Sequence, residues 1–307
     1  MTRTAKRWIV GPDDGPSVAD VVARAGGDPR AIADGRVFVG RIRARDGAAP
    51  VRAGDVVEIA PPVSEVADVA LLAAADDLVA VSKPAGIPTI PDHGGAAHAL
   101  IAHAARLAGV PVARLHATSR LDREVSGVVI FALSPDAAAR LKRAREEGTY
   151  ARRYVAIAAR APEPARGAWD APIGRAKDPR LRAANGRDSA PARTLYASIA
   201  SVSTGESLLA LAPITGRTHQ IRVHASHAGA PLLGDRAYGG PPRITLATGR
   251  VIALARIALH CARVSVPGLA VEAPLPPELS ETWSALGGDP PAWDTACACA
   301  LESPASS

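Results

Sequence analysis

The sequence predicts an α+β protein with a large domain on a mixed, mostly antiparallel sheet and a small N-terminal domain before it. The chain has 307 residues, of which 48% are hydrophobic, so a sizeable core and a small companion domain are both possible. Apolar strand patterns outnumber helical patterns along the chain. These strands follow one another through turns and loops and do not alternate with helices, which argues against a doubly wound parallel sheet.

The first part of the chain, residues 1–62, is predicted to form the small domain. Residues 18–25 have a helical pattern, and residues 36–39 and 51–59 contain short strands separated by turn residues. This order resembles the small S-four-like RNA-binding module found on many RNA enzymes, although Gly40-Arg41 stands where that module's first hairpin has Asn-Gly. The resemblance implies a domain that binds RNA. An accessory hairpin without an RNA role is the alternative.

The larger domain is predicted over residues 70–285, after a linker over 63–70 that follows Pro61-Pro62. Residues 286–307, rich in Pro and Ala, are expected to form a soft tail, and residues 160–192 a loop. Strands are predicted over 78–82, 128–133, 153–158, 194–201, 207–212 and 258–266, and helices over 96–108 and from Ser134 to Gly148.

The basic charge of the chain is concentrated in one band. The net charge is +6, which fits solubility as well as it fits nucleic-acid binding. However, residues 138–195 hold 14 Arg or Lys and 6 Asp or Glu. A basic band within an otherwise balanced chain is the usual electrostatic sign of a polyanionic partner.

The remaining composition predicts a cytoplasmic protein. Three cysteines form neither a zinc-site spacing nor a disulfide framework, which fits a reducing compartment. The sequence has no charged-then-apolar leader and no run of eighteen apolar residues, so we expect neither secretion nor a membrane span.

The stretch from Ser119 to Gly127 holds the chemistry-bearing candidate Asp122. Its carboxylate lies between Arg120 and Arg123, just before an apolar run that has the pattern of a buried strand. A buried charge must be paired, since otherwise it costs several kcal/mol. Asp122 is therefore either a structural acid paired with a flanking arginine or an acid placed for catalysis.

The sequence resembles the RluA-type family of pseudouridine synthases, which isomerise uridine in ribosomal or transfer RNA. Leu121-Asp122-Arg123 with Ser126-Gly127 matches the family's catalytic-aspartate motif, and residues 215–224, TGRTHQIRVH, match its second long signature almost letter for letter. The resemblance covers roughly residues 78–270. One departure is Ser119, because the family usually has His two residues before the motif's Leu.

The resemblance implies a site in which Asp122 acts as the nucleophile or stabilises an electron-poor sugar. To stay ionised, Asp122 needs a cation beside it, and Arg222 is the expected partner, with Arg217 as the alternative. Arg120 is expected to fill the space of the flipped nucleotide or to guide it, a plain phosphate contact being the alternative. Tyr154, within the family's basic-x-Tyr-x-Ala pattern, is expected to stack on the uracil and assist proton removal.

Three further residues are assigned to the borders of the pocket by the same resemblance. Lys83, Arg217 and His219 are expected to bind substrate, Lys83 from a rigid turn and His219 as a strut of the active-site loop. Asp235 is interpreted as a structural acid that pairs with an arginine or caps a turn, and less favourably as a second catalytic carboxylate.

The family reaction needs no metal, nicotinamide or nucleotide, so we expect no cofactor, and we expect a monomer that binds RNA. The sequence has no Gly-rich phosphate loop. Two rivals stay open. One is a non-catalytic RNA-binding or ribosome-assembly protein on the same fold. The other is a metal-dependent nucleotide hydrolase that uses His219, His224 and His227, although their spacing lacks the pattern of a helical metal pair.

Overall fold

The computed structural model describes residues 6–33, 36–40, 42–44, 46–59, 69–75, 77–91, 99–246 and 248–301. The chain divides into two compact units, one of residues 1–69 and 87–112 and the other of residues 70–86 and 113–307. Most of the expected linker over 63–70, and the start of the helix expected over 96–108, lie outside the described residues. The domain limits expected from the sequence stay a prediction.

The smaller unit has a four-stranded antiparallel sheet and short helices. Ser17 starts the first helix with a capping box, in which its hydroxyl accepts from the Asp20 backbone and the Asp20 carboxylate accepts in return. Val21 packs with Val57 in the core of this unit. The helix predicted over 18–25 is confirmed. The elements are β1 (Lys6–Ile9), α1 (Val18–Arg24), α2 (Arg30–Ala33), β2 (Val37–Val39), β3 (Ile42–Arg43), β4 (Val56–Ile59) and α3 (Leu100–Ala108), with strand order β1-β4-β2-β3.

The larger unit is built on a ten-stranded mixed sheet, which confirms the predicted fold class. Its strands are β5 (Ala70–Ala75), β6 (Leu78–Lys83), β7 (His116–Ala117), β8 (Ser126–Ala132), β9 (Ala151–Ala158), β10 (Arg166–Trp169), β11 (Ile173–Arg175), β12 (Arg182–Ala184), β13 (Arg187–Ala190), β14 (Thr194–Ser201), β15 (Ser207–Pro213), β16 (Arg243–Thr245), β17 (Val251–Ala253), β18 (Leu259–Val266) and β19 (Leu269–Glu272). Its helices are α4 (Pro135–Glu146), α5 (Gln220–His227), α6 (Pro277–Ala285) and α7 (Ala292–Ala298). Among the described helices, none is long and apolar enough to cross a bilayer.

The order of the main sheet is β10-β14-β15-β9-β18-β8-β6-β5, with β19 on β18 and β7 on β8. All of its pairs are antiparallel except β8 with β18. Every residue of β8 is buried, which explains its continuous apolar sequence, because a central strand covered on both faces need not alternate. Along β9, Tyr154 packs in the core on one face and Val155 in the core on the other.

Gly127 allows β18 to lie directly beside β8. It has φ 123°, and a Cβ at this position would overlap the carbonyl oxygen of Cys261 on β18. The glycine that follows the Asp122 loop is therefore required by a close approach of two backbones. This parallel pairing places the start of β8 at the centre of the sheet.

The prediction of a loop over 160–192 is wrong. In the structure β10 joins the main sheet, and β11, β12 and β13 form a three-stranded antiparallel sheet of their own, which we call the basic sheet (residues 173–190). Its strands are three or four residues long and contain Arg, Ala and Gly in place of alternating apolar residues. Their few apolar side chains, such as Ile173 and Ala184, pack with Val223 of α5 and are too few to alternate along a strand, so the sequence pattern gave no strand signal.

The soft tail expected over 286–307 is also wrong for its described part, residues 286–301. Helix α7 brings Trp293 (4% exposed) into the core beside β9, and Leu301 (7% exposed) is buried in the same cluster. Pro and Ala dominate the composition here, but two large apolar side chains are enough to fix the segment to the sheet.

Replacing Trp293 by Ala should therefore destabilise the larger unit by about 3 kcal/mol, because it leaves a cavity under α7. The exposed Thr295 on the same helix is the matched control, and Thr295→Ala should cost less than about 0.5 kcal/mol. Urea unfolding of both variants measures the two values. Equal stabilities would contradict the burial of α7.

Candidate active site

Asp122 lies in the loop between β7 and β8, and its side chain is 27% exposed. The Val125 backbone N–H donates to the Asp122 carbonyl over 3.1 Å and closes a turn after the acid. The same loop is tied to the end of β6, where Lys83 Nζ donates to the carbonyls of Arg123 (3.0 Å) and Val125 (2.7 Å). Lys83, at the end of a neighbouring strand, therefore holds the loop that carries Asp122 in place.

Lys83, expected from the sequence to bind substrate, is directed into the protein. The side chain is 1% exposed, and its third hydrogen bond goes to the Pro84 carbonyl at 3.0 Å, so all three protons of the ammonium form have protein acceptors. Burial lowers the pKa of Lys83 to about 7, while the charge of Asp122 opposes the shift. These contacts support the loop that carries Asp122.

Arg222 connects Asp122 to a second, buried carboxylate. It lies on α5, where residues 220–225 are all buried. Its Nε and Nη2 donate to the two oxygens of Asp235 over 2.7 and 2.9 Å, a bidentate pair that fixes the plane of the guanidinium. The remaining Nη1 donates to Asp122 Oδ2 over 2.8 Å. Asp235 is thus paired with an arginine, as interpreted from the sequence, and it orients the cation that contacts Asp122.

The charge of Arg222 is secure in this position. Burial disfavours the guanidinium, but the hydrogen bonds and charge of Asp235, with those of Asp122, outweigh it and raise the pKa of Arg222 above its ordinary value. Both groups that approach the Asp122 carboxylate, Arg222 and His219, do so at Oδ2. Among the described residues, none donates a hydrogen bond to Asp122 Oδ1. One carboxylate oxygen is anchored by Arg222, and the part of the chain that the structure describes leaves the other without a donor.

Tyr238 was not assigned a role from the sequence, although it lies three residues after Asp235, between Gly234 and Gly239. Its hydroxyl is 2.7 Å from His219 Nδ1 and accepts the Arg182 backbone N–H over 3.0 Å. Its ring lies under the Arg222 guanidinium, 4.8 Å from ring centre to Cζ. Tyr238 therefore links the basic sheet, the histidine and the arginine of the site. The feature of the sequence that could have pointed to Tyr238 is the pair Gly234 and Gly239, which bend the chain on both sides of it.

His219 lies beside Asp122. It has a left-handed backbone, φ 58°, at the start of α5, and its Nε2 is 3.9 Å from Asp122 Oδ2. Burial lowers the pKa of His219, and the nearby Asp122 opposes this. Because burial disfavours its charged form and its contact is longer, His219 is a weaker electrostatic partner of Asp122 than Arg222 is.

Three other expected site residues differ in how the structure places them. Arg217 is exposed and its Nε donates to the Pro191 carbonyl over 2.9 Å, so it is not the cation beside Asp122. Arg120 is exposed, and its side chain makes no hydrogen bond or ion pair with the described residues. Tyr154 is 7% exposed and packs in the core with Leu121. Burial and contact with Cys261 raise the pKa of Tyr154 well above its ordinary value, so its hydroxyl stays protonated.

The histidines considered as metal ligands do not converge. Both ring nitrogens of His224 have protein partners, Thr194 Oγ1 and the Ala171 carbonyl, each at 2.9 Å. His219 is bound to Tyr238. Across the described part of the chain, no group of three or more His, Cys, Asp or Glu side chains has the arrangement of a metal site.

Comparison with known proteins shows similarity to RNA pseudouridylate synthases. The family model described as RNA pseudouridylate synthase matches residues 77–227. "Ribosomal large subunit pseudouridine synthase D" of Nitrosomonas europaea is 35% identical over 221 residues, which cover 69% of this chain and 63% of that protein. "Uncharacterized RNA pseudouridine synthase YhcT" of Bacillus subtilis is 32% identical over 232 residues, which cover 72% of this chain and 74% of that protein. The chain belongs to the RluA-type family of RNA pseudouridine synthases.

Solved structures agree with this assignment. The structure titled "Human RNA Pseudouridylate Synthase Domain Containing 4" has a TM-score of 0.58 and 26% identity, and the match covers 71% of this chain and 92% of that one. "Human RNA Pseudouridylate Synthase Domain Containing 1", at 23% identity and a TM-score of 0.53, shares the fold. The chain spans less than two thirds of the length of some curated relatives, 63% for the Nitrosomonas protein and 52% for a Vibrio parahaemolyticus one.

The lowered pKa of Lys83 predicts a pH-dependent contribution to stability. Between pH 7 and 10.5 the unfolded chain keeps a proton on Lys83 that the folded chain has lost, so raising the pH in this window favours the folded state. The difference in unfolding free energy between wild type and Lys83→Met should therefore grow by about 1.4 kcal/mol per pH unit above pH 7. Urea unfolding of both proteins at pH 7, 8 and 9 measures the difference, in which other titrating groups cancel. A constant difference would show that Lys83 remains protonated in the fold.

Proposed function

We propose that this protein isomerises uridine to pseudouridine in structured RNA, with Asp122 as the nucleophile. The observation that carries the proposal is the Asp122 carboxylate, which is partly exposed, is anchored at one oxygen by Arg222 and, among the described residues, has no hydrogen-bond donor at the other. Family membership supports the reaction class, and the geometry supports the assignment of this acid. Arg222 is proposed to hold the acid in place through its hydrogen bond to Oδ2.

The reaction places few demands on the site beyond a carboxylate and a proton carrier. The bond between the sugar C1′ and uracil N1 breaks, and a bond from C1′ to uracil C5 forms. The C5 proton leaves and N1 ends with one, so no atom or electron is imported and no cofactor is required. Asp122 can attack the sugar or the pyrimidine ring, and either adduct is resolved when the C5 bond has formed.

The target uridine has to leave its stack, which costs a few kcal/mol. Arg120 lies two residues before Asp122 and is exposed. Its side chain makes no hydrogen bond or ion pair with the described residues. A planar guanidinium is suited to stack where the base has left. Tyr154, which is 7% exposed, is proposed to border the uracil. Because burial raises the pKa of Tyr154, its hydroxyl stays protonated and can donate a hydrogen bond, but it is a poor proton donor and a poor base.

The basic sheet is proposed to hold the RNA backbone near the site. Its Lys177 and Arg187 are exposed and make no ion pair with the described residues. In contrast, Arg180 on the same sheet is paired with Asp178 at 2.6 Å. The names of the first relatives favour ribosomal RNA over transfer RNA as substrate, and the smaller unit is proposed as a second RNA contact. The cytoplasm is proposed as the compartment of this reaction.

Asp122→Asn should abolish pseudouridine formation, with a rate loss of at least about a thousandfold, because the amide is not a nucleophile. RNA affinity should change less than about threefold, since the substitution keeps the shape of the side chain. The substrate is ribosomal and transfer RNA from a strain that lacks the gene, and pseudouridine is mapped after incubation with purified protein. Asp136→Asn, which changes an exposed acid at the start of α4, is the matched control.

The outcomes separate the proposed enzyme from its rival. Full pseudouridine formation by Asp122→Asn would exclude this residue as the nucleophile. RNA binding without pseudouridine formation by the wild-type protein would instead favour the non-catalytic RNA-binding or ribosome-assembly protein.

The double variant Lys177→Gln, Arg187→Gln should weaken RNA binding and lower the slope of log K against log salt by roughly 1.5, because two released counterions are lost. Arg180→Gln is the matched control. Its charge is already paired with Asp178, so the slope should change by less than about 0.5. Filter binding between 50 and 300 mM salt gives both slopes. Identical slopes for the two variants would place the RNA backbone elsewhere.

A further inference from the structure

Tyr150 lies in the sequence between the two signature segments, residues 119–127 and 215–224. Its side chain contacts Ser119 of the first segment and Arg152, which is hydrogen-bonded to the start of the second. It is 6% exposed and packs in the core of the larger unit. Its position is set by the turn after α4, where its backbone N–H donates to the Ala144 carbonyl over 2.9 Å. Its hydroxyl is 3.2 Å from Ser119 Oγ, and the two groups share a hydrogen bond. Ser119 is the residue immediately before Arg120.

Two arginines extend this contact. The Arg145 guanidinium lies over the Tyr150 ring at 4.4 Å, and its Nη2 donates to Thr118 Oγ1 over 3.2 Å. The Arg152 guanidinium lies 5.8 Å from the same ring. Its Nη2 donates to the Pro213 carbonyl over 3.0 Å and to the Thr215 carbonyl over 2.7 Å. Thr118 and Ser119 precede the proposed nucleophile, and Thr215 begins the segment that leads to Arg222.

The consequence is a fixed spacing between the two segments. Residues 118–120 have no regular secondary structure, so backbone pairing does not hold the chain immediately before Arg120. Two side-chain hydrogen bonds, from Tyr150 and Arg145, hold it instead. The same tyrosine ring touches the arginine that holds residues 213–215. An error of about 1 Å in the position of a reacting group can cost about a hundredfold in rate.

We infer that Tyr150 is a positioning residue for the proposed reaction, acting through its hydrogen bond to Ser119 to hold Arg120 and Asp122 in register with Arg222. The inference rests on the proposed function and adds a residue that touches neither substrate nor the reacting atoms. It also gives Ser119 a role. At the position where the family usually has His, the small serine side chain forms a hydrogen bond with the Tyr150 hydroxyl.

A double-mutant cycle tests the coupling between the two hydroxyls. Tyr150→Phe keeps the ring and its arginine contacts and removes only the hydroxyl, and Ser119→Ala removes the other partner. Each should slow the single-turnover rate at saturating protein about fivefold, the effect of one lost hydrogen bond. Half-saturating protein concentrations should change less than twofold. The double variant should be no slower than the slower single variant, because the two groups form one interaction.

Tyr196→Phe is the matched control. Tyr196 is also a buried tyrosine of the larger unit, and its hydroxyl donates to the Pro164 carbonyl over 3.1 Å, in a segment without site residues. A general loss of stability would slow all three single variants alike, whereas positioning slows only Tyr150→Phe and Ser119→Ala. The substrate is the RNA from the deletion strain that the wild-type protein modifies.

Two results would overturn the inference. One is a wild-type rate for Tyr150→Phe, and the other is a double variant whose rate loss equals the product of the single losses. Asp122→Asn, measured in parallel, keeps the tests separate. If that variant is inactive while Tyr150→Phe is fully active, only the positioning role fails. If Asp122→Asn is active, the proposed nucleophile fails.

Discussion

The contact between Arg222 and two carboxylates is the interaction on which the site depends. The two partners are unequal, since Asp235 is 1% exposed and Asp122 is 27% exposed. An attraction between charges is strong in the dry interior and weak near solvent, where water screens it. The bidentate pair with Asp235 therefore sets the position of the guanidinium, and Asp122 adapts to it. A site built this way can present a reactive acid without losing the cation that holds it.

This arrangement also explains why the segment from 234 to 239 belongs to the site. A buried arginine without its partner would leave an uncompensated charge, which costs about 3–5 kcal/mol. Asp235 compensates it, and Tyr238 covers the face of the guanidinium while it reaches His219 and the basic sheet. Asp235 and Tyr238 thus define where Arg222, and with it Asp122, lies.

The loop that carries Asp122 is held from three separate parts of the chain. Lys83 binds its carbonyls from β6, Arg222 binds its carboxylate from α5, and Tyr150 binds Ser119 from the turn before β9. The three side chains bind different atoms of the loop, two backbone carbonyls, a carboxylate oxygen and a serine hydroxyl, so they restrain it at separate points.

The sequence by itself determined the fold class, the long strands, the first helix and the two signature segments. These follow from local rules, because apolar runs, capping residues and turn residues act within a few positions. It did not determine the short strands of the basic sheet, which backbone hydrogen bonds hold together, or the burial of α7, which depends on Trp293 meeting a distant strand. It did not show that Lys83 is buried, because a lysine next to a turn has the same pattern whether it points to solvent or to carbonyls forty or more residues away. Only the tertiary structure decided which arginine meets Asp122, since Arg217 and Arg222 are five residues apart and the direction of each side chain depends on the start of α5.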